Sequence, residues 1–182
     1  QASVTDVNND YIMPNLRSIM EDGVTCERAY ATNPICSPSR ASLMTGKLPH
    51  NHGMVEVTHN VPAYRAEYDY SLDTFSAALK RNGYATSYYG KWHVERKHNL
   101  EDFGYDEFIT ERGIPTQKLT PVKKVTLKTP GYEDRTIGGV YSEGMEATDE
   151  HFEFTKAIDF IERHKEGPFF TFISTNAPHD PY

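Results

Sequence analysis

The chain has 182 residues, enough for one domain of ordinary size with a real core. Its formal net charge of −7 and pI near 5.6 argue against a nucleic-acid binder or a protein that coats anionic membranes. No apolar run approaches the ~20 residues needed to span a bilayer, and no signal-peptide pattern is present.

In chain order, Met13-Pro14-Asn15-Leu16 opens a helix, with Pro14 in its first turn and Gly23 suited to its end. Val24 to Tyr30 reads as a short strand, with Cys26 a small buried hydrophobe inside it. Pro38 can start a second helix, carrying Leu43 and Met44 and stopping at Gly46. A third runs from about Ser71, a candidate cap, to Asn82, with Leu72, Phe75, Ala78 and Leu79 as its apolar stripe. Tyr84 to Tyr89 reads as a strand cut off by Gly90. From about Gly113 to Gly144, Pro, Gly, Thr and Lys dominate, and the alternation Lys124-Val125-Thr126-Leu127 predicts a hairpin in a surface excursion. Thr148 can cap a helix with Asp149 and Glu150 in its first turn and Phe154, Ala157, Ile158 and Ile161 along one face. Gly167-Pro168 breaks it, and Phe169 to Ile173 is a nearly continuous apolar strand of the parallel-sheet kind. Alternating helix and strand predict an α/β fold, whose ligands sit beyond the carboxyl ends of the strands. Gly90-Lys91-Trp92-His93 and Ala177-Pro178-His179 both fall where a strand has just ended.

Two cysteines are too few for a disulfide framework in a chain this long, and no C-x-x-C or Cys/His zinc spacing occurs. Cys36 lies just before the second helix, facing unpaired backbone N–H groups and the positive end of the helix dipole. That arrangement binds anions and favours negative charge on the side chain itself. Arg40, about one helical turn on, can point its guanidinium back at the same spot. Residue 36 is then either a nucleophile toward a phosphate-like or sulfate-like centre, or a half-buried cysteine beside an ordinary helix. A spacing of two puts Lys91 and His93 on one side of an extended segment and turns Trp92 into the core. His50 is expected to cap the end of the second helix and His52 to line the pocket's edge. His59, His98, His151 and His164 carry no usable pattern.

The stretch Cys36-Ser37-Pro38-Ser39-Arg40, ending in Leu43-Met44-Thr45-Gly46-Lys47, resembles the first signature of the formylglycine-dependent sulfatases, of the alkaline-phosphatase-like superfamily. Gly83 to His93 is similar to that family's second signature, and Asn176-Ala177-Pro178-His179 to a third motif. The resemblance implies a partial sulfatase fold: a mixed, mainly parallel sheet flanked by helices, lacking its first strand and C-terminal part. It treats residues 1–182 as one fragment of the catalytic domain, with 113–144 as an excursion.

The resemblance also implies the chemistry. A maturation enzyme oxidises Cys36 to formylglycine, whose hydrate attacks sulfur through one oxygen and expels sulfate through the other. Arg40 holds the hydrated group, and Lys91 contacts sulfate and nucleophile oxygens. His93 takes the second hydroxyl's proton, while His179 binds the ester and helps protonate the leaving oxygen. Lys91 and His179 are thus also the substrate-binding residues. One calcium ion is implied beside residue 36, itself a ligand as formylglycine, with oxygen ligands otherwise outside the chain. Asp6, Asn8, Asn9 and Asp10 fall in a connecting loop, and a second acidic pair and an assisting lysine are expected past Tyr182. The chain is accordingly expected to be part of a longer protein and inactive alone.

The partners expected are a sulfated small molecule or sugar and the maturation enzyme, with no nucleic acid and no membrane span. Periplasmic or secreted placement is a family-level expectation. Two rivals remain: a formylglycine-dependent phosphonate or phosphate ester hydrolase, and a non-catalytic remnant that binds without turnover. Lys118, Lys123, Lys124 and Lys128 give the excursion local positive charge, read as a solvated face or a surface for a polyanionic sugar. Asp180 and Tyr182 are placed at the substrate entrance.

Overall fold

The computed structural model describes residues 13–59, 66–115, 120–131, 133–177 and 179. The chain divides into two compact units, residues 1–31 and 32–182. In the first, α1 (Pro14–Asp22) has proline in its first turn and ends at Gly23, as its sequence predicts. Residues 24–30 do not form the expected strand, and Cys26 is exposed rather than buried. A strand needs a partner to take up its backbone groups, and this unit has none among the described residues.

The second unit is built on a three-stranded parallel sheet in the order β2-β1-β5, from β1 (Ala85–Gly90), β2 (Glu107–Thr110) and β5 (Phe169–Ser174). Its register pairs Ser87 with Glu107 on one side and Gly90 with Ser174 on the other. Apolar side chains leave the sheet on both faces, as parallel strands between covering layers require. On one face Tyr88 joins Met44, Met54, Trp92, Phe103 and Tyr105, with Phe108, Phe170 and Phe172 packed against them. On the other, Tyr89 meets Ala157 and Phe160 of α5 (Asp149–His164), flanked by Ile109 and Ile173.

Helix ends follow local chemistry. Thr148 caps α5 by accepting from the His151 N–H (3.2 Å), with Asp149 and Glu150 in the first turn. In α4 (Phe75–Arg81), Thr74 rather than Ser71 is the cap, because Ser71 is engaged with Asp69 in the preceding turn. The excursion contains β3 (Pro121–Leu127) and β4 (Arg135–Tyr141), an antiparallel pair with β3 exposed throughout. Lys123 and Lys124 lie on that exposed strand, Lys128 pairs with Asp134 at 3.7 Å, and Lys118 lies outside the described residues. No helix among the described residues is long and apolar enough to cross a membrane.

Candidate active site

Helix α2 spans Cys36–Thr45, so Cys36 is its first residue and not the one before it, with Ile35 as the extended N-cap. No side chain caps this end, which leaves first-turn N–H groups and the positive pole of the helix beside Cys36. Cys36 is half-buried and makes no disulfide. Pro38 is buried in the first turn, where its missing N–H costs nothing.

Arg40 fixes this helix against the sheet. Its Nη1 donates to the Lys91 carbonyl (2.6 Å) and to Ser174 Oγ (2.7 Å), and lies 3.4 Å from the Tyr88 hydroxyl. The Tyr88 hydroxyl also donates to the Lys91 carbonyl. Arg40 thereby joins the carboxyl ends of β1 and β5, while its Nε and Nη2 make no hydrogen bond among the described residues. Donors of that kind suit a tetrahedral anion.

The chain leaves β1 through Gly90, at φ +104, and Lys91 N–H donates to the Ser174 carbonyl (2.7 Å). A Cβ at Gly90 would stand 2.3 Å from that same carbonyl oxygen, so only glycine fits. Trp92 turns into the core, 4% exposed, with its backbone N–H donating to Glu111 (2.9 Å). His93 then adopts φ +48, the one non-glycine residue among those described with a positive φ. The segment is therefore not simply extended, and a turn rather than strand alternation sets where His93 faces. Left-handed backbone on such a residue is locally strained and is found at functional sites.

His93 Nε2 and His59 Nδ1 are 3.0 Å apart, with the rings stacked. Nδ1 of His93 is buried without a hydrogen-bond partner among the described residues. Burial, then the charges of Lys91, His59 and Arg96, push its pKa down to about 4. His93 is thus neutral at ordinary pH, with a nitrogen free to receive a proton. His59 had no motif to mark it; the pairing spans 34 positions in sequence and exists only in the fold.

Other expectations are corrected. His52 does not line a pocket edge: it is fully buried, accepts from Met54 N–H at Nδ1 (3.1 Å), and its Nε2 lies 3.0 Å from Ser42 Oγ. With Nδ1 accepting, Nε2 carries the proton and donates to Ser42. His50 does not cap α2, which is ended by left-handed Gly46 donating to the Ser42 carbonyl; His50 sits in the next short helix, α3 (Pro49–His52). His179 is exposed in a turn just past β5, its N–H donating to the Asn176 carbonyl (2.8 Å). Asp6, Asn8, Asn9, Asp10, Pro178, Asp180 and Tyr182 lie outside the described residues. No group of three or more His, Cys, Asp or Glu able to hold a metal occurs among the described residues.

One further carboxyl was not foreseen. Glu153 of α5 is 2% exposed, and its Oε2 has no partner among the described residues. Its Oε1 lies 2.9 Å from where a Cβ on Gly90 would stand, directly under the end of β1. Burial, then Glu150, Asp149 and Glu111, push its pKa up to about 7.

A family model described as Sulfatase matches residues 5–182. Human N-acetylgalactosamine-6-sulfatase is 32% identical over 92% of this chain and 35% of its own length. Choline-sulfatase of Rhizobium meliloti is 27% identical over 93% of this chain and 34% of its own. The chain thus spans about a third of the length of the curated relatives it matches. Among solved structures, Ps i-CgsB superposes with a TM-score of 0.68 at 24% identity, covering 96% of this chain and 42% of that one. BT4656, solved with its substrate D-glucosamine-2-N,6-O-disulfate, gives 0.57 at 24% identity, covering 91% and 29%. These likenesses establish the shared fold.

Proposed function

Because this chain belongs to the sulfatase family, we propose that it supplies the nucleophile-bearing part of a sulfate ester hydrolase. The observation that carries this reading is the Arg40 anchor. It ties α2, the helix that begins at Cys36, to the carboxyl ends of β1 and β5, and Lys91 and His93 are the residues that follow β1.

Matured from cysteine to formylglycine, residue 36 supplies a hydrated aldehyde, one hydroxyl to attack sulfur and a second whose deprotonation releases sulfate. The other groups act around it. The free donors of Arg40 and the first-turn N–H groups of α2 balance negative charge at position 36. Lys91 places its ammonium against the sulfate oxygens, where charge grows as sulfur is transferred. His93, neutral in the fold, takes the proton of the second hydroxyl. His179, just past β5, donates toward the leaving oxygen. Calcium is implied by the family, but the described residues do not assemble its ligands, and no step here runs through it.

The test is mass spectrometry of the tryptic peptide Ala29–Arg40 from protein of its native source, without prior reduction or alkylation. The expected result is a side chain changed from CH2SH to CHO, or its hydrate. An intact thiol at Cys36 would remove the nucleophile and favour a non-catalytic role. Rates of the mature full-length protein on aryl sulfate and aryl phosphate then separate a sulfatase from a phosphate ester hydrolase on the same site.

A further inference from the structure

The segment that carries His59 is tied to α2 at two points. The Thr58 N–H donates to Ser37 Oγ (3.2 Å), and Ser37 is the fully buried neighbour of Cys36. Upstream, the fully buried Met54 donates its N–H to Nδ1 of His52 (3.1 Å), whose Nε2 is bonded to Ser42 of the same helix. Held in this way, His59 Nδ1 lies 3.0 Å from His93 Nε2, with ring centroids 5.1 Å apart and planes inclined by 25°.

One proton lies between these two nitrogens, and the ring that owns it decides what His93 can do. A neutral imidazole has one N–H and one bare nitrogen, so a bond made at one nitrogen fixes the state of the other. Burial first, then Lys91, His59 and Arg96 against Glu111, hold the His93 ring at one proton. If His59 donates, that proton sits on Nδ1 of His93, buried without an acceptor among the described residues. Neither nitrogen is then open, and His93 is no base. If His93 donates through Nε2, its Nδ1 is bare. The orphan is then an acceptor, which a fold tolerates better than an orphaned N–H, and it can receive a proton.

We propose that His59 is the positioning residue that makes His93 a base: its Nδ1 accepts the Nε2–H of His93, fixing the tautomer, and its ring stacks on His93 to hold it on its left-handed backbone. The proposal rests on the sulfate ester reading above, in which His93 takes the proton of the second hydroxyl. That proton goes to the bare ring nitrogen, and the O–H electron pair closes the aldehyde C=O. The bond from that carbon to the bridging oxygen breaks, and sulfate leaves as the dianion. His59 thus serves the release of sulfate and not the first attack on sulfur.

The test uses the mature full-length protein with isotope-labelled histidine, because NMR shifts of the ring nitrogens tell a protonated nitrogen from a bare one. Wild-type His93 should be protonated at Nε2 and bare at Nδ1. His59→Ala should lose that preference, as should His59→Phe, which keeps a ring to stack but no nitrogen. His59→Asn, which offers an amide oxygen near the place of Nδ1, should keep it. On 4-nitrophenyl sulfate, the Ala and Phe variants should lose about tenfold in kcat, part of the roughly 10²–10⁴ that a positioned base contributes. Their kcat/KM should stay within about twofold of wild type, with a burst of 4-nitrophenol as the covalent sulfo-enzyme accumulates. His59→Asn should recover part of kcat. A wild-type ring protonated at Nδ1, a tautomer unmoved in both variants, an unchanged kcat, or equal losses in kcat and kcat/KM would overturn the proposal. A protein without turnover whose His93 tautomer still depends on His59 keeps the role of the pair and removes only the hydrolase reading.

Discussion

His93 combines a strained backbone, a stacked imidazole partner and a buried, unbonded ring nitrogen. Burial is the main cause of its low pKa, with the charge of Lys91 next, so the neutral ring is the stable form in the fold. With the folded pKa below the ordinary 6.5, the contribution of His93 to stability is whole above pH 6.5 and is lost as pH falls toward 4. An NMR titration of the His93 ring should show a midpoint near 4, and His59→Ala, which removes a like-signed neighbour, should move it up. A midpoint at 6.5 in the wild type would sink this account of the site. Much at this scale was legible beforehand. Cys36, Arg40, Lys91 and His93 stood out by motif, and Trp92 was correctly turned inward. His59, Ser174 and Glu153 were not legible, because each matters through a contact made across the fold.

At the scale of elements, the close approach of β1 and β5 depends on Gly90. Gly90→Ala carries both a left-handed backbone and a clash with the Ser174 carbonyl, whereas Gly83→Ala has a similar backbone (φ +83) and open space. Chemical denaturation should therefore find Gly83→Ala about 1 kcal/mol less stable than wild type. Gly90→Ala should cost about 3–4 kcal/mol, with turnover lost. Equal costs for the two would mean that the clash is relieved at no expense. Most element boundaries follow from single residues: Pro14, Gly46, Thr148 and the Gly167-Pro168 break sit where chain chemistry puts them. The failures share a cause. Residues 24–30 read as a strand but have no strand to pair with among the described residues, and Thr74 replaced Ser71 as cap because Asp69 engages Ser71 in the preceding turn. β2, only four residues long, is a strand because β1 lies beside it.

For the molecule as a whole, Glu153 sets a pH dependence of stability. Its folded pKa is raised from 4.5 to about 7, so its contribution is whole below pH 4.5 and is lost as pH rises through 7. Glu153→Gln should thus stabilise the protein at pH 8, on the order of 3 kcal/mol, and leave it nearly unchanged at pH 4. Thermal unfolding at the two pH values measures this; the same gain at both would show that packing, not ionisation, is responsible. The Arg40 anchor has a different kind of consequence, one of time. Nη1 of Arg40 and Oγ of Ser174 are 134 positions apart in sequence, and closing a loop of that length comes late, after the local helices and turns have formed. Until β5 docks beside β1, Arg40 lacks its Ser174 hydroxyl partner and the Lys91 N–H lacks the Ser174 carbonyl. The Arg40 anchor is therefore completed in a late closing step, when β5 arrives beside β1.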